Sequence, residues 1–349
     1  MRKYNVAIVG ATGAVGEELF RVLEDLDFPI NNLIPLASSR SAGVDIEYRN
    51  KHYKVLELTE TVFDEKDVEI AFFSAGGSIS AHYAKFAAEA GAVVIDNTSH
   101  FRMEEDVPLV VPECNPNDIS AWKNTGIIAN PNCSTIQMVQ VLKPLDDAFD
   151  ISRVDVSTYQ AVSGAGKAGM EELVAQMQDF FAFKLSESES KIFQHQIALN
   201  VIPHIDVFMD NDYTKEEMKM VNETQKILGK NIEVSATCVR VPVIRSHSEA
   251  ITIHFENDVS VEKAVQALKD APIVIAVHPS DIKGFYEIDA DDKQHIIILL
   301  LGEEALVWLQ GHNIETLRQN KHILMPKLMS YVKHMIVYSV KDKKCTKVK

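Results

Sequence analysis

No hydrophobic run in this chain is long enough to cross a membrane as a helix. The longest aliphatic stretch, 296–301, is far below the roughly 18 residues that a span needs. Basic residues are in the minority, and a formal net charge of −15 argues against nucleic acid or an anionic membrane as the main partner. Cysteine is scarce: the four, at 114, 133, 238 and 345, show neither zinc-site spacing nor a disulfide framework. No bound metal is therefore expected. The opening Met1-Arg2-Lys3-Tyr4 runs straight into a predicted strand, without the architecture of a secretory signal. Internal repeats and low-complexity blocks are missing too. What is left is an ordinary globular composition, 46% apolar and 24% charged over 349 residues, sized for two domains and expected in a reducing cytoplasm.

The chain is organised around Asn130-Pro131-Asn132-Cys133-Ser134-Thr135. The apolar run 126–129 reads as a strand ending there, and residues 136–142 read as a helix with no Gly or Pro until Pro144. Cys133 thus falls where a strand ends and a helix begins, among backbone N–H groups and the positive end of the helix dipole. Such a place favours the thiolate and offers donors to a tetrahedral adduct. An isolated cysteine is more often a small buried hydrophobe, so the rest of the chain decides between the two readings.

The N-terminal half reads as a nucleotide fold. Asn5-Val6-Ala7-Ile8-Val9 is a buried-strand run that leads into Gly10-Ala11-Thr12-Gly13-Ala14-Val15-Gly16 and then a helical pattern. Strand, glycine turn and helix in that order are the setting of a dinucleotide fingerprint, although the spacing here is G-x-x-G-x-x-G. The strand at 32–37 ends in Ser38-Ser39-Arg40-Ser41. An NAD-preferring enzyme usually carries a carboxylate near this point, whereas hydroxyls and an arginine suit the 2′-phosphate of NADP. Further strands are predicted at 68–73, 92–95 and 109–111, with a helix at 80–90. Ser74-Ala75-Gly76-Gly77-Ser78 is placed to line the cofactor cleft. The alternation predicts α/β architecture, a doubly wound parallel sheet with Cys133 beyond a strand's carboxyl end.

After Pro144 the pattern changes. A half-buried strand at 154–160 gives way to Ala161-Val162-Ser163-Gly164-Ala165-Gly166-Lys167-Ala168-Gly169, a loop of small residues suited to close approach. Helices are predicted over 171–183 and from 213, with Thr214 and Glu217 at capping-box spacing. Strands at 238–243 and 245–253 follow, and one face of such a sheet is open to a ligand or partner. His247, between two serines at a strand junction, is the histidine best placed for chemistry.

Together the Gly10–Gly16 loop, the Asn130–Thr135 turn, Gln160-Ala161-Val162-Ser163-Gly164 and the 240–247 stretch resemble the bacterial aspartate-semialdehyde dehydrogenase family. The resemblance runs to about residue 270. It implies a Rossmann-type domain plus an α+β substrate and dimerisation domain, here 1–133 and 134–310, assembled as a homodimer. It implies NADP- and phosphate-dependent interconversion of aspartate semialdehyde and aspartyl phosphate, in lysine, threonine and methionine synthesis. On that likeness Cys133 is the nucleophile, His247 the acid/base and Gln160 the residue orienting the intermediate. Arg240 clamps the substrate carboxylate, and Arg102 belongs to the phosphate site. Asn132, Glu216 and Lys219 serve substrate and phosphate. Gly10, Thr12, Gly13, Ala14, Val15, Ser38, Arg40, Ser41, Ser163 and Gly164 contact the cofactor. Two other readings stand beside it: an N-acetyl-γ-glutamyl-phosphate reductase, and a dinucleotide-binding relative with little turnover. Residues 311–349 depart from the pattern, by divergence or a shifted reading frame; if by divergence, 328–340 is expected to form a docked helix.

Overall fold

The computed structural model describes residues 2–271 and, as backbone alone, residues 295–301. The described chain divides into two compact units, one ending at Pro131 and one beginning at Asn132. The segment 311–349, with the helix expected at 328–340, lies outside the described residues.

In the first unit the opening apolar run becomes β1 (Tyr4–Val9), buried along its whole length. The glycine turn leads into α1 (Ala14–Asp25) and then β2 (Ile30–Ala37). A hairpin follows, β3 (Asp45–Tyr48) and β4 (Lys51–Lys54), turning on Arg49 and Asn50, both left-handed at φ 49° and 58°. Then come β5 (Leu56–Glu57), α2 (Val62–Glu65), β6 (Ile70–Phe73), α3 (Gly77–Glu89), β7 (Val93–Asp96) and β8 (Ile127–Ala129).

The parallel sheet has the order β5-β2-β1-β6-β7-β8. Sandwiching on both faces is why its inner strands are continuous apolar runs rather than alternating ones. The order reverses between β1 and β6, and a doubly wound sheet opens a ligand crevice at such a switch point. One expected strand does not form. At 109–111 there is only an isolated parallel bridge, Leu109 to Ala129, because Pro108 and Pro112 flank the three residues and supply no ladder donors.

The second unit starts with α4 (Cys133–Phe149), which runs on through Pro144 instead of ending there. β9 (Ile151–Gln160) and α5 (Gly166–Phe181) follow. The small-residue loop is thus shorter than expected, since Gly166 and Gly169 join the helix. A Cβ on Gly169 would lie 2.8 Å from Val162 O and 3.1 Å from the Phe193 ring, so only glycine lets the first turn seat. α6 (Lys215–Leu228) begins with the anticipated capping box: Glu217 N–H donates to Thr214 Oγ1 at 3.3 Å, and Thr214 N–H to Glu217 Oε2 at 2.7 Å.

The remaining elements are β10 (Glu233–Arg240), β11 (His247–Phe255), α7 (Val261–Asp270) and β12 (His295–Leu301). The sheet order is β10-β9-β11-β12, with β10 parallel to β9 and the other pairs antiparallel. Its inner face packs Val154, Val156, Ile251 and Ile253 against Met138, Leu142 and Leu145 of α4, Met220 of α6 and Leu268 of α7.

Candidate active site

Asn132 starts α4 and is its N-cap, with extended dihedrals (φ −60°, ψ 145°). Its Oδ1 accepts from Ser134 N–H at 2.9 Å and Thr135 N–H at 3.3 Å, satisfying two donors of the first turn. Its own N–H donates to Glu223 Oε2 at 2.6 Å, and its Nδ2 to Glu216 Oε1 at 2.9 Å. The turn is therefore held from α6 at two points. Cys133, the first helical residue, is exposed at the positive end of α4 while its neighbours Asn132 and Ser134 are buried.

Strand register places three of the other candidate residues. Gln160 at the end of β9 pairs with Arg240 at the end of β10 on one side and with His247 at the start of β11 on the other. Directly opposed residues share a face, so Arg240, Gln160 and His247 form one transverse row. Gln160 Nε2 donates to Glu216 Oε1 and Thr158 Oγ1, both at 3.2 Å. Glu216 Oε2 meets Lys219 Nζ at 2.9 Å, and Lys219 also binds Asp206 Oδ2 at 3.0 Å. Glu216 is thus the hub joining the α4 cap, the β9 end and Lys219.

The electrostatics follow from these contacts. Burial alone would raise the Glu216 carboxyl. The Lys219 charge and the Asn132 and Gln160 donors outweigh it, and Glu216 is held below the ordinary glutamate value. Burial would likewise lower Lys219, but Glu216 and Asp206 keep it raised and charged. Burial lowers Arg240, with Glu216 and Cys133 opposing the fall; as a guanidinium it stays charged. Arg240 Nη1 donates to Ala161 O at 2.7 Å, and the group lies over the Phe193 ring at 5.9 Å. A Cβ on Gly164 would sit 2.7 Å from that Nη1, so glycine leaves the guanidinium its place.

Burial, then the Arg240 charge, push His247 down to about 4. The ring is neutral near neutrality. Ala161 N–H donates to its Nδ1 at 3.0 Å, which puts the neutral ring's proton on Nε2.

In the first unit, Gly10 (φ 92°) packs its backbone against the β6 end, where a Cβ would lie 3.0 Å from Ala75 N. The β1 loop and the Ser74–Gly76 turn therefore meet at the sheet's switch point. Gly13 N-caps α1 with no side-chain bond, and Val15 in the first turn is exposed. Ser38, Arg40 and Ser41 follow β2, the first two exposed. Arg102 is buried in the loop after β7 and donates from Nη2 to Asn97 O at 3.0 Å; Asn97 Oδ1 in turn accepts from Asn130 Nδ2 at 2.8 Å.

Asn132, Cys133, Gln160, Gly164, Glu216, Lys219, Arg240 and His247 therefore come together within the second unit, where Ser163 also lies. Thr12, Ala14, the other loop residues and Arg102 belong to the first. Glu223, Thr158 and Asp206 were missed. Glu223 did leave a signal: Glu216, Lys219, Met220 and Glu223 recur at the i, i+3, i+4, i+7 spacing of one helix face, with acids where core residues belong.

A dinucleotide-type sheet, followed by a unit that carries a cysteine on a helix N-terminus and a row holding a neutral histidine and a buried arginine, is the build of an oxidoreductase. Family models agree with both halves: "Semialdehyde dehydrogenase, NAD binding domain" matches residues 5–122, and "Semialdehyde dehydrogenase, dimerisation domain" residues 142–285. Aspartate-semialdehyde dehydrogenase from Campylobacter jejuni is 72% identical over 276 residues, covering 79% of this chain and 80% of its own. The Helicobacter pylori J99 enzyme of that name is 53% identical over 284 residues, 79% of this chain and 81% of its own. Among solved structures, aspartate semialdehyde dehydrogenase II of Vibrio cholerae complexed with ASA superposes at a TM-score of 0.81. It is 44% identical and covers 87% of this chain and 94% of its own. The chain belongs to the semialdehyde dehydrogenase family.

Proposed function

We propose that this chain is an NADP-dependent aspartate-semialdehyde dehydrogenase, interconverting L-aspartate 4-semialdehyde plus phosphate with 4-aspartyl phosphate. The observation that carries the reading is the second-unit constellation: Cys133 on the α4 N-terminus with Gln160, Arg240 and His247 in one row beside Glu216 and Lys219.

The Cys133 thiolate adds to the aldehyde carbon, and His247 holds a proton at Nε2 toward the oxygen that becomes negative. NADP, held by the residues named below, would supply the hydride acceptor that this oxidation needs. Cys133 is left as a thioester, which phosphate attacks to release the acyl phosphate and return the thiolate. Gln160, tied to Glu216 and Thr158, orients the acyl group, and the Arg240 fork takes the substrate carboxylate. Arg102 and Lys219 serve phosphate, Asn132 sets the turn, and Glu216 meets the substrate's amino group.

The residues present fit the dinucleotide. Gly76, at φ 101° beside the Gly10 loop, has nothing within 4 Å of where a Cβ would be, so bare backbone faces the pyrophosphate region with the α1 N-terminus. Gly10, Thr12, Gly13, Ala14 and Val15 hold the phosphates, and Ser163 and Gly164 the nicotinamide side. We assign NADP over NAD because Arg40, with Ser38 and Ser41, stands after β2 where a ribose-binding carboxylate would be.

We also assign a homodimer through the second unit, whose exposed Phe181, Phe183, Val207 and Phe208 are 72%, 97%, 62% and 59% accessible. Among the described residues no helix is long and apolar enough to cross a membrane, and the thiol chemistry suits the reducing cytoplasm.

Incubation with aspartate semialdehyde and NADP in the absence of phosphate tests the chemistry. An aspartyl mass adduct on the Cys133 peptide is expected; an adduct elsewhere, or N-acetylglutamate semialdehyde as the better substrate, would overturn the assignment.

A further inference from the structure

Two residues beyond His247, β11 carries an acid that the reaction described above does not use. Glu249 is fully buried, with no accessible surface. Sequence alternation puts it on the same sheet face as His247, opposite Thr158 of β9. Over it lies the first turn and a half of α4. Gln137 Nε2 donates to Glu249 Oε1 at 2.6 Å. Glu249 Oε2 and Ser134 Oγ are both buried, and for neither does a hydrogen bond close among the described residues. Ser134 and Gln137 are three apart on one helical face, and Ser134 directly follows Cys133.

A carboxylate sealed here would be a buried charge with only a neutral amide and a hydroxyl for company, a costly arrangement. A carboxylic acid needs less. Its carbonyl oxygen accepts from Gln137, and its O–H is offered toward Ser134, the oxygen that lacks a partner.

Resting on the nucleophile assignment above, we propose that Glu249 is a positioning residue that works as the neutral acid: it seats the first turn of α4 through Ser134 and Gln137, and it keeps a negative charge away from the Cys133 thiolate. Its surroundings agree. Burial pushes the Glu249 carboxyl up to about 8, and Gln137 and Ser134 only partly offset the rise. Of the elements packed against it, α4 presents these two neutral groups and β9 presents Thr158. β10 contributes Cys238, itself pushed up to about 12 and so neutral. Among the described residues no charged lysine or arginine shifts the Glu249 carboxyl, and His247, two residues away on the same face, is neutral. Once the acid ionises, no cation among the described residues balances the charge, and the thiolate becomes less favoured.

The test is the alkylation rate of Cys133 against pH in the full-length protein without substrate, read on the Cys133 peptide by mass spectrometry. The wild type should show the thiol's own inflection and a second one near pH 8. Glu249→Gln, which imitates the neutral acid, should lose the second inflection and keep kcat at pH 7 within about threefold, a factor under 1 kcal/mol. Glu249→Ala should lose kcat more than tenfold. Ser134→Ala leaves Glu249 in place and removes a hydroxyl that accepts from the acid but donates more strongly to the ionised form, so the second inflection should move to higher pH, which serves if the Glu249 variants fold poorly.

A folded Glu249→Gln enzyme that loses activity more than tenfold would overturn the proposal, because the ionised form would then be the one required. An unchanged profile in Glu249→Gln, or an unmoved inflection in Ser134→Ala, would overturn it as well. If alkylation of Cys133 left turnover intact, the nucleophile assignment itself would fall, a result separate from these.

Discussion

Replacing Asn132 by Asp and by Ala separates its roles, because the first keeps the helix cap and the second does not. Asn132 caps α4 through Oδ1 and donates from Nδ2 to the buried Glu216 carboxylate at 2.9 Å. Asn132→Ala loses the cap, worth about 1 kcal/mol, and one hydrogen bond to a charged group, worth about 1.5–3 kcal/mol. The sum is about 3 kcal/mol. Asn132→Asp keeps the cap but turns a donor into a second carboxylate facing Glu216. At an effective dielectric of about 20, two like charges some 4 Å apart repel by about 4 kcal/mol, and the lost donor adds to this.

Asn132→Asp should therefore be the less stable of the two at pH 7, although it is the closer substitution. The order should also respond to acid. The carboxylate pair has a raised folded-state pKa, so the folded state binds more protons than the unfolded one, and stability rises as pH falls. Urea midpoints of both variants at pH 7 and pH 5.5 check this: the Asp variant should recover relative to the Ala variant, which carries no new titrating group. An Asp variant as stable as the wild type at pH 7, or an Asp–Ala difference that ignores pH, would refute the hub role given to Glu216.

Three further outcomes are expected. His247 sits at about 4 when folded against 6.5 for an ordinary imidazole, so the unfolded chain binds the extra proton. The resulting loss of stability, about 3 kcal/mol, accumulates as pH falls from about 6.5 to 4; His247→Asn should lack that slope in denaturation measured across the range. Arg240→Lys keeps a charge but loses the fork, and should raise KM for the semialdehyde about tenfold or more, with KM for NADP unchanged in the same assay. Arg40→Asp should cost about tenfold or more in kcat/KM with NADP while NAD becomes the better cofactor; unchanged preference would remove Arg40 from the 2′-phosphate site.

Where local chemistry decides structure, the sequence was readable. The strand, glycine turn and helix at Gly10, the capping box at Thr214 and Glu217, and Cys133 at a helix start all rest on contacts within a few residues. The proline inside α4 was misleading: packing of Met138, Leu142 and Leu145 carries the helix past Pro144, a tertiary gain that propensity does not register. The row of Arg240, Gln160 and His247 depends on register between strands distant in sequence, which no local pattern encodes. Glu223 and Glu249 were harder still, since an acidic residue in a sequence reads as solvated until its burial is seen.

The measurement that tests the central claim most directly is NADPH formation from L-aspartate 4-semialdehyde by the full-length protein, with and without phosphate, before and after alkylation of Cys133. Turnover that requires phosphate and disappears on alkylation is predicted. Turnover that survives alkylation, or a folded protein that binds NADP and forms no NADPH, would contradict the account.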